Sequence, residues 1–324
     1  MIKVTHYLRH PIPGLYSIER LHEDIAAALP ADIQVRRCLS RFLSRGILRR
    51  LYDAIRARYH QGDVNHVTGD VHFLALFLDP RRTVLTIHDC VSLQRHRGVK
   101  RWLYWLFWLW LPSRRCAAIV TISESTRHQV LQAVGCSPEK VRVIHNNVSP
   151  EFRLNLRPIN SQHPRFLLIG TTPNKNLERH LAALQSLCRP VSGHPGGTVS
   201  AQLIVIGPLS PTQHAHLVQS GLSWANHSDL TRADLLHHYQ DCDILLFAST
   251  YEGFGLPIVE AQAVGRPVVT SRLWSMPEVA GEGACLVDPF DINSINAGIR
   301  RIIDDPEYLF SSPGLPQSRR GMGG

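Results

Sequence analysis

Short apolar runs rich in β-branched residues alternate with amphipathic stretches of helical period along nearly all of the chain, and this rhythm restricts the fold more than any other feature. Runs at 2–7, 33–38, 64–68, 84–88, 118–122 and 141–144 predict strands, with helical patterns between them at 17–29, 41–59, 100–111 and 123–134. An aperiodic stretch with prolines, 149–163, interrupts the rhythm. It then restarts, with strands at 166–170, 203–207, 244–248 and 268–271 and helices at 177–187, 211–222, 232–239, 256–264 and 292–303. Strands joined through helices are parallel, because a parallel neighbour needs a crossover long enough to hold one. The expectation is an α/β protein of two doubly wound, Rossmann-like domains, 1–155 and 156–310, followed by an irregular tail at 311–324. Ligands of such sheets bind beyond the carboxyl ends of the strands, so a ligand serving both domains is expected in a cleft between them.

Charge divides the chain in the same place. The net charge is +9, yet residues 1–160 carry 24 Lys and Arg against 12 Asp and Glu, while 161–324 carry 11 against 14. An anionic partner or surface is therefore expected for the first half only. With 44% hydrophobic and 19% charged residues, the composition excludes a disordered, collagenous or polytopic membrane protein. The seven cysteines form no C-x-x-C pair, so neither a zinc ribbon nor a redox dithiol is readable, and the opening residues MIKVTHYLRH carry no secretory pattern. A cytoplasmic protein is expected.

Residues 101–111, Arg-Trp-Leu-Tyr-Trp-Leu-Phe-Trp-Leu-Trp-Leu, are apolar on every side and hold four of the six tryptophans. The run is shorter than the roughly 20 residues a bilayer span requires. Two placements fit it: a buried core helix, or an interfacial helix flanked by Arg97, Lys100, Arg101, Arg114 and Arg115, which would give segment 97–115 a peripheral contact with an anionic membrane.

The strongest chemical signal is Ser249-Thr-Tyr-Glu252-Gly-Phe254-Gly255-Leu256-Pro257-Ile-Val-Glu260. An apolar strand runs through a glycine-rich turn into a helix whose first turn holds proline, a residue with no N–H to leave unpaired. The backbone N–H groups of Phe254, Gly255 and Leu256 then lie where a helix N-terminus attracts phosphate oxygens. Carboxylates at Glu252 and Glu260 suit the paired hydroxyls of sugars, being acceptors only. Asp241-Cys-Asp243 spells a D-x-D metal motif but precedes its strand, at the wrong end for a ligand, and no other His and carboxylate cluster has ligand spacing. No metal is expected. Nucleic acid is not expected either, because the basic residues lack a known binding motif.

The segment E-G-F-G-L-P-I-V-E, with A-Q-A-V-G-R-P-V-V-T-S and M-P-E-V-A-G-E-G-A-C-L-V-D-P after it, closely resembles the donor-site signature of the retaining glycosyltransferases of family four, also called glycosyl transferases group one. Upstream, F-L-L-I-G170-T-T-P-N-K175-N-L is similar to the phosphate-grip loop of that family. In the first half, T-I-H88-D resembles its acceptor-side motif, A-I-V-T-I-S-E-S and V-I-H-N-N resemble later landmarks, and Gly14 sits where the family has its N-terminal glycine loop. The resemblance implies the GT-B fold and assigns roles. Glu260 would hold the nucleotide ribose and Glu252 would face the donor sugar, near the Phe254, Gly255 and Leu256 amides. Lys175, in the loop that starts at Gly170, would neutralise the leaving diphosphate that Gly14 approaches, and His88 would contact the transferred sugar.

The implied function is a retaining, metal-independent glycosyltransferase without cofactor. It would move a hexose from a UDP- or GDP-linked donor to a glycan or lipid-linked anionic acceptor, by front-face displacement, in cell-envelope polysaccharide synthesis. Two departures stand out. Asn174 occupies a position where many relatives have arginine, and the chain runs into a tail-like sequence where relatives continue with further helices. The alternative expectation is accordingly a truncated, catalytically impaired protein of the same fold acting as a binding or partner subunit.

Overall fold

The computed structural model describes residues 1–11, 17–189 and 199–305, so Gly14 and the tail 311–324 lie outside the described residues. The chain divides into two compact units, the first ending at Asn147 and the second beginning at Val148.

Unit 1 runs β1 (Ile2–Leu8), α1 (Ser17–Ala28), β2 (Ile33–Leu39), α2 (Ile47–Arg58), β3 (Val64–Val67), β4 (Thr83–Ile87), α3 (Val91–Arg95), α4 (Gly98–Tyr104), α5 (Leu111–Arg114), β5 (Ala118–Thr121), α6 (Glu124–Val134) and β6 (Val141–Val143). Its strands form one parallel sheet in the order β2-β1-β3-β4-β5-β6. The edge strand β2, Ile-Gln-Val-Arg-Arg-Cys-Leu, is largely exposed, while the strands inside the sheet bury their apolar positions. Tyr7, Val67, Leu85, Ile87 and Ile119 are all fully buried.

Unit 2 runs β7 (Arg165–Ile169), α7 (Leu177–Leu187), β8 (Gln202–Ile206), α8 (Pro211–Gln219), β9 (Ser223–His227), α9 (Arg232–Asp241), β10 (Ile244–Phe247), α10 (Leu256–Ala263), β11 (Val268–Ser271), α11 (Met276–Ala280), β12 (Cys285–Val287) and α12 (Ile292–Asp304). The parallel sheet has the order β12-β11-β10-β7-β8-β9. Along β7, Phe166 and Leu168 enter one core layer and Leu167 the other. Each fully buried leucine here contributes about 1.5–3 kcal/mol. From β7 the chain proceeds to β8 on one side, then returns to place β10 on the other. The gap between β7 and β10 is thus the switch point where doubly wound sheets open a ligand crevice.

Several expected boundaries shift for local reasons. Segment 148–156 belongs with unit 2: Phe152 is buried against the Tyr239 ring, the Asn155 N–H donates to the Val264 carbonyl at 3.2 Å, and Arg232 pairs with Glu151. The helix predicted over 41–59 starts only at Ile47, because the Asp53 carboxylate accepts the Arg41 and Phe42 N–H groups and Gly46 turns with φ 85°. β9 and β12 carry too little apolar alternation to read as strands and form by pairing with β8 and β11. The tryptophan-rich run is one helical stretch from Gly98 to Arg114, π-helical over Trp105–Trp110. Burial takes only part of it, with Trp108 and Leu109 inside and Val99, Trp102, Leu103 and Phe107 exposed.

Candidate functional site

β7 and β10 both end at the unit 2 switch point, and the loops leaving them are stitched together. Thr250 donates its N–H to the Asn174 carbonyl at 2.8 Å, and Asn174 Nδ2 donates to the Tyr251 carbonyl at 3.0 Å and to Glu252 Oε1 at 3.4 Å. Asn176, at the head of α7 with φ 61°, donates Nδ2 to the Ala248 and Pro289 carbonyls at 3.0 and 2.7 Å. The Ala248 N–H is in turn accepted by Nε2 of the fully buried His180, whose pKa burial depresses to about 3. A neutral imidazole therefore holds the end of β10.

Lys175 and Glu252 meet in this setting. Lys175 Nζ donates to Glu252 Oε1 at 2.7 Å and lies 4.4 Å from the centre of the Phe247 ring. Gly170 makes room for that lysine. Its φ of 90° is in the left-handed region, and a Cβ there would come within 2.8 Å of Lys175 Cε. On the far side, Ser275 Oγ donates to the carbonyls of Glu252 and Phe254 at 3.0 and 2.8 Å, and Trp274 Nε1 to that of Thr250 at 3.0 Å. These bonds fix the turn that ends in Gly255, where φ is 104°. Gly255, at the N-cap of α10, makes no side-chain cap hydrogen bond, and Leu256 and Pro257 open the helix.

Glu260, about one turn into α10, is held separately. The Tyr239 hydroxyl from α9 donates to Glu260 Oε2 at 2.5 Å. Burial raises the Tyr239 pKa well above its ordinary value, and the nearby Glu260 charge raises it further, so the phenol stays a donor. Glu252 and Glu260 are thus presented by different partners, one by a lysine and the other by a tyrosine.

His88, in unit 1, follows β4, and its Nε2 donates to the Thr68 carbonyl after β3 at 2.6 Å. Burial holds its pKa below the usual histidine range, leaving Nδ1 an acceptor on the neutral ring. The rings of His6, His22 and His66 lie beside it in mutual edge contact, 5.2–5.6 Å apart. Among the described residues, no cluster of three or more His, Cys, Asp or Glu is arranged to hold a metal ion. A cavity of about 410 Å³ opens past the carboxyl ends of β1 and β2, lined by His10, Pro11, Leu39, Ser40, Arg41 and Arg56.

The D-x-D segment is structural. Asp243, 2% exposed, accepts the N–H groups of Asn160 and Arg165 and pairs with Arg157 at 3.2 Å, clamping the entry of unit 2. The residues alone placed Glu252, Phe254, Gly255, Leu256 and Glu260 on one strand-to-helix turn, and the family resemblance placed Gly170 and Lys175 in a separate loop; the structure sets Lys175 against Glu252 and Gly170, and Glu260 against Tyr239. Sequence reading missed Asn174, Asn176, His180, Tyr239, Trp274 and Ser275. An asparagine on each side of Lys175 was the available signal for the first two, whereas the others reach the site from elements distant in sequence.

Two family descriptions match the chain in succession: Glycosyltransferase Family 4 over residues 17–152, and Glycosyl transferases group 1 over residues 157–310. Among curated proteins, the MMP α-(1→4)-mannosyltransferase of Mycolicibacterium hassiacum is 29% identical over 220 residues, 65% of this chain and 51% of that protein. The O-antigen chain mannosyltransferase RfbU of Salmonella typhimurium is 24% identical over 239 residues, 71% of this chain and 63% of that one. The alignments thus span about half to two thirds of those relatives. Anabaena HepE in complex with UDP and glucose superposes with a TM-score of 0.75 at 18% identity, over 95% of this chain and 92% of that one. WaaG, described as a glycosyltransferase involved in lipopolysaccharide biosynthesis, gives 0.70 at 16%, over 95% and 91%. With its two Rossmann-like sheets and this succession of matches, the chain belongs to the GT-B glycosyltransferases of family 4, the glycosyl transferases of group 1.

Proposed function

We propose that the protein is a retaining glycosyltransferase that moves a hexose from a nucleotide diphosphate sugar to a glycan or lipid-linked acceptor in cell-envelope polysaccharide synthesis. The observation that carries this reading is the Lys175–Glu252 pair at the switch point of unit 2, beside the α10 N-terminus that Gly255 leaves without a side-chain cap. An ammonium and a set of helix N–H groups suit a diphosphate, and a carboxylate suits sugar hydroxyls. When a donor enters, Lys175 turns from Glu252 to the diphosphate, where negative charge builds as the glycosidic bond breaks. Glu252 is released to the sugar, and Glu260, oriented by Tyr239, takes the ribose hydroxyls. Positive charge comes from Lys175 and the helix rather than from a metal ion.

The relatives carry names of mannosyltransferases, and HepE is described with UDP and glucose, which supports a hexose donor; UDP and GDP are the two carriers to test. We assign the acceptor to the basic unit 1, and the family resemblance gives His88 the role of contacting the transferred sugar. The cavity of His10, Arg41 and Arg56 suits an anionic group such as a lipid-linked phosphate. The exposed apolar side of the helical run 98–114, with Arg97, Lys100 and Arg101, supports contact with an anionic membrane through 97–115. Among the described residues no helix is long and apolar enough to cross a membrane.

A thermal-shift series with UDP- and GDP-sugars tests the reading, since a ligand that binds only the native state raises the melting temperature. One of them should stabilise the protein and be hydrolysed, and Glu260→Ala should abolish both. Unchanged turnover in that variant would sink the site assignment, and a nucleotide sugar that binds without turnover would leave a binding subunit instead.

A further inference from the structure

Helix α2 is built the wrong way round for a helix that merely covers a sheet. Surface helices normally turn their large apolar side chains inward. The inward positions of α2 are Asp53, Ala54 and Ala57, while Ile47, Leu48, Leu51, Tyr52, Ile55 and, just past its end, Tyr59 face solvent. Ile47, Leu48 and Tyr59 are 80%, 82% and 80% exposed. At 3.6 residues per turn the outward set lies in one sector of the helix, which Arg58 enters only at its C-terminal end, so it is an apolar stripe rather than scattered exposure. Leu43, in the preceding loop, is exposed too, and Phe42 packs edge-on against Tyr52.

The charge around the stripe selects what covers it. Residues 36–58 contain eight arginines and a single acid, Asp53, which is buried with its carboxylate committed to backbone N–H groups. A second copy packed on this face about a two-fold axis would set arginines against arginines. A surface rich in anionic phosphates has the complementary charge and an apolar layer beneath it. Arg56 of the same helix lines the cavity of His10 and Arg41, and Arg50 stacks on Trp108 at 4.5 Å, joining α2 to the tryptophan-rich run.

We propose that α2 is a membrane-docking helix, lying in the headgroup layer of an anionic bilayer with the stripe from Ile47 to Tyr59 inserted and Arg45, Arg49 and Arg58 on headgroup phosphates. This rests on the reading of an envelope enzyme whose acceptor is lipid-linked, and it places the main contact on α2. Insertion brings the Arg41 and Arg56 cavity to the depth where a membrane-bound phosphate resides.

Flotation with phosphatidylcholine vesicles, with and without phosphatidylglycerol, tests it on the full chain. The parent protein should float only with the anionic vesicles. Leu48→Ser/Leu51→Ser/Ile55→Ser should lower partitioning at least about tenfold, and Arg49→Gln/Arg58→Gln about fivefold per residue at low salt. Both variants should keep the parent's circular dichroism and donor hydrolysis, since these side chains face outward. A parent that stays soluble, a serine variant that floats like the parent, or loss confined to Trp102→Ser/Phe107→Ser overturns the proposal. So does a stripe-dependent dimer seen by light scattering in the absence of lipid, which would assign the face to a second copy. Donor hydrolysis without vesicles reports separately on the proposed reaction.

Discussion

Lys175 Nζ lies 2.7 Å from Glu252 Oε1, with both side chains largely withdrawn from water, so each charge is satisfied by the other. Pairing avoids leaving either charge buried alone, a state that is strongly destabilising. In the proposed reaction, a donor that drew Lys175 to its phosphates would free Glu252 in the same movement.

Lys175→Ala is therefore expected to lower kcat for transfer by about 10²–10³, the usual effect of removing one preorganised electrostatic group. Steady-state kinetics check this. A change confined to KM would mean that Lys175 binds ground state and transition state alike.

Tyr239→Phe removes the hydroxyl that orients Glu260 while keeping the ring in its packing against Phe152. A hydrogen bond to a charged group is worth about 1.5–3 kcal/mol, so nucleotide affinity should fall by roughly tenfold or more. Isothermal titration with the nucleotide measures it, and unchanged affinity would show that Tyr239 serves the core alone.

Asp243→Ala should behave in the opposite way. It strands Arg157 and the Asn160 and Arg165 N–H groups, so unfolding should be easier by about 3–5 kcal/mol. Nucleotide affinity measured well below the melting temperature should stay at the parent value. Lost affinity with unchanged stability would return this carboxylate to the list of ligands.

Acid should destabilise the protein earlier than its carboxylates alone would cause. Burial depresses the pKa of His22 to about 2 and those of His66 and His180 to about 3, with neighbouring histidines adding to the effect for His22 and His66. The unfolded chain takes up protons near pH ~6.5, where the folded chain does not, so stability falls as pH drops below that value. Each such histidine costs about 1.4 kcal/mol per pH unit down to its folded pKa. Urea unfolding between about pH 6.5 and pH 4.5 should show this slope, and His22→Leu should flatten it.

The sequence by itself determined the two α/β units, the strand-to-helix turns and most of the donor loop, because apolar period and glycine placement are local signals. Phe166 to Ile169 and Ile244 to Phe247 read as buried parallel strands, and Gly255 with Pro257 marks the start of α10. Only the tertiary structure decided which residues act together. The Lys175–Glu252 pair, the Tyr239–Glu260 bond and the His180–Ala248 bond each join residues 21 to 77 positions apart, distances over which no periodicity carries information. The same limit applies to α2, whose amphipathic pattern was visible. Its apolar side faces outward because Asp53 is held inward by the Arg41 and Phe42 N–H groups and Ala54 and Ala57 enter the core, and helical period alone does not say which side a fold will bury.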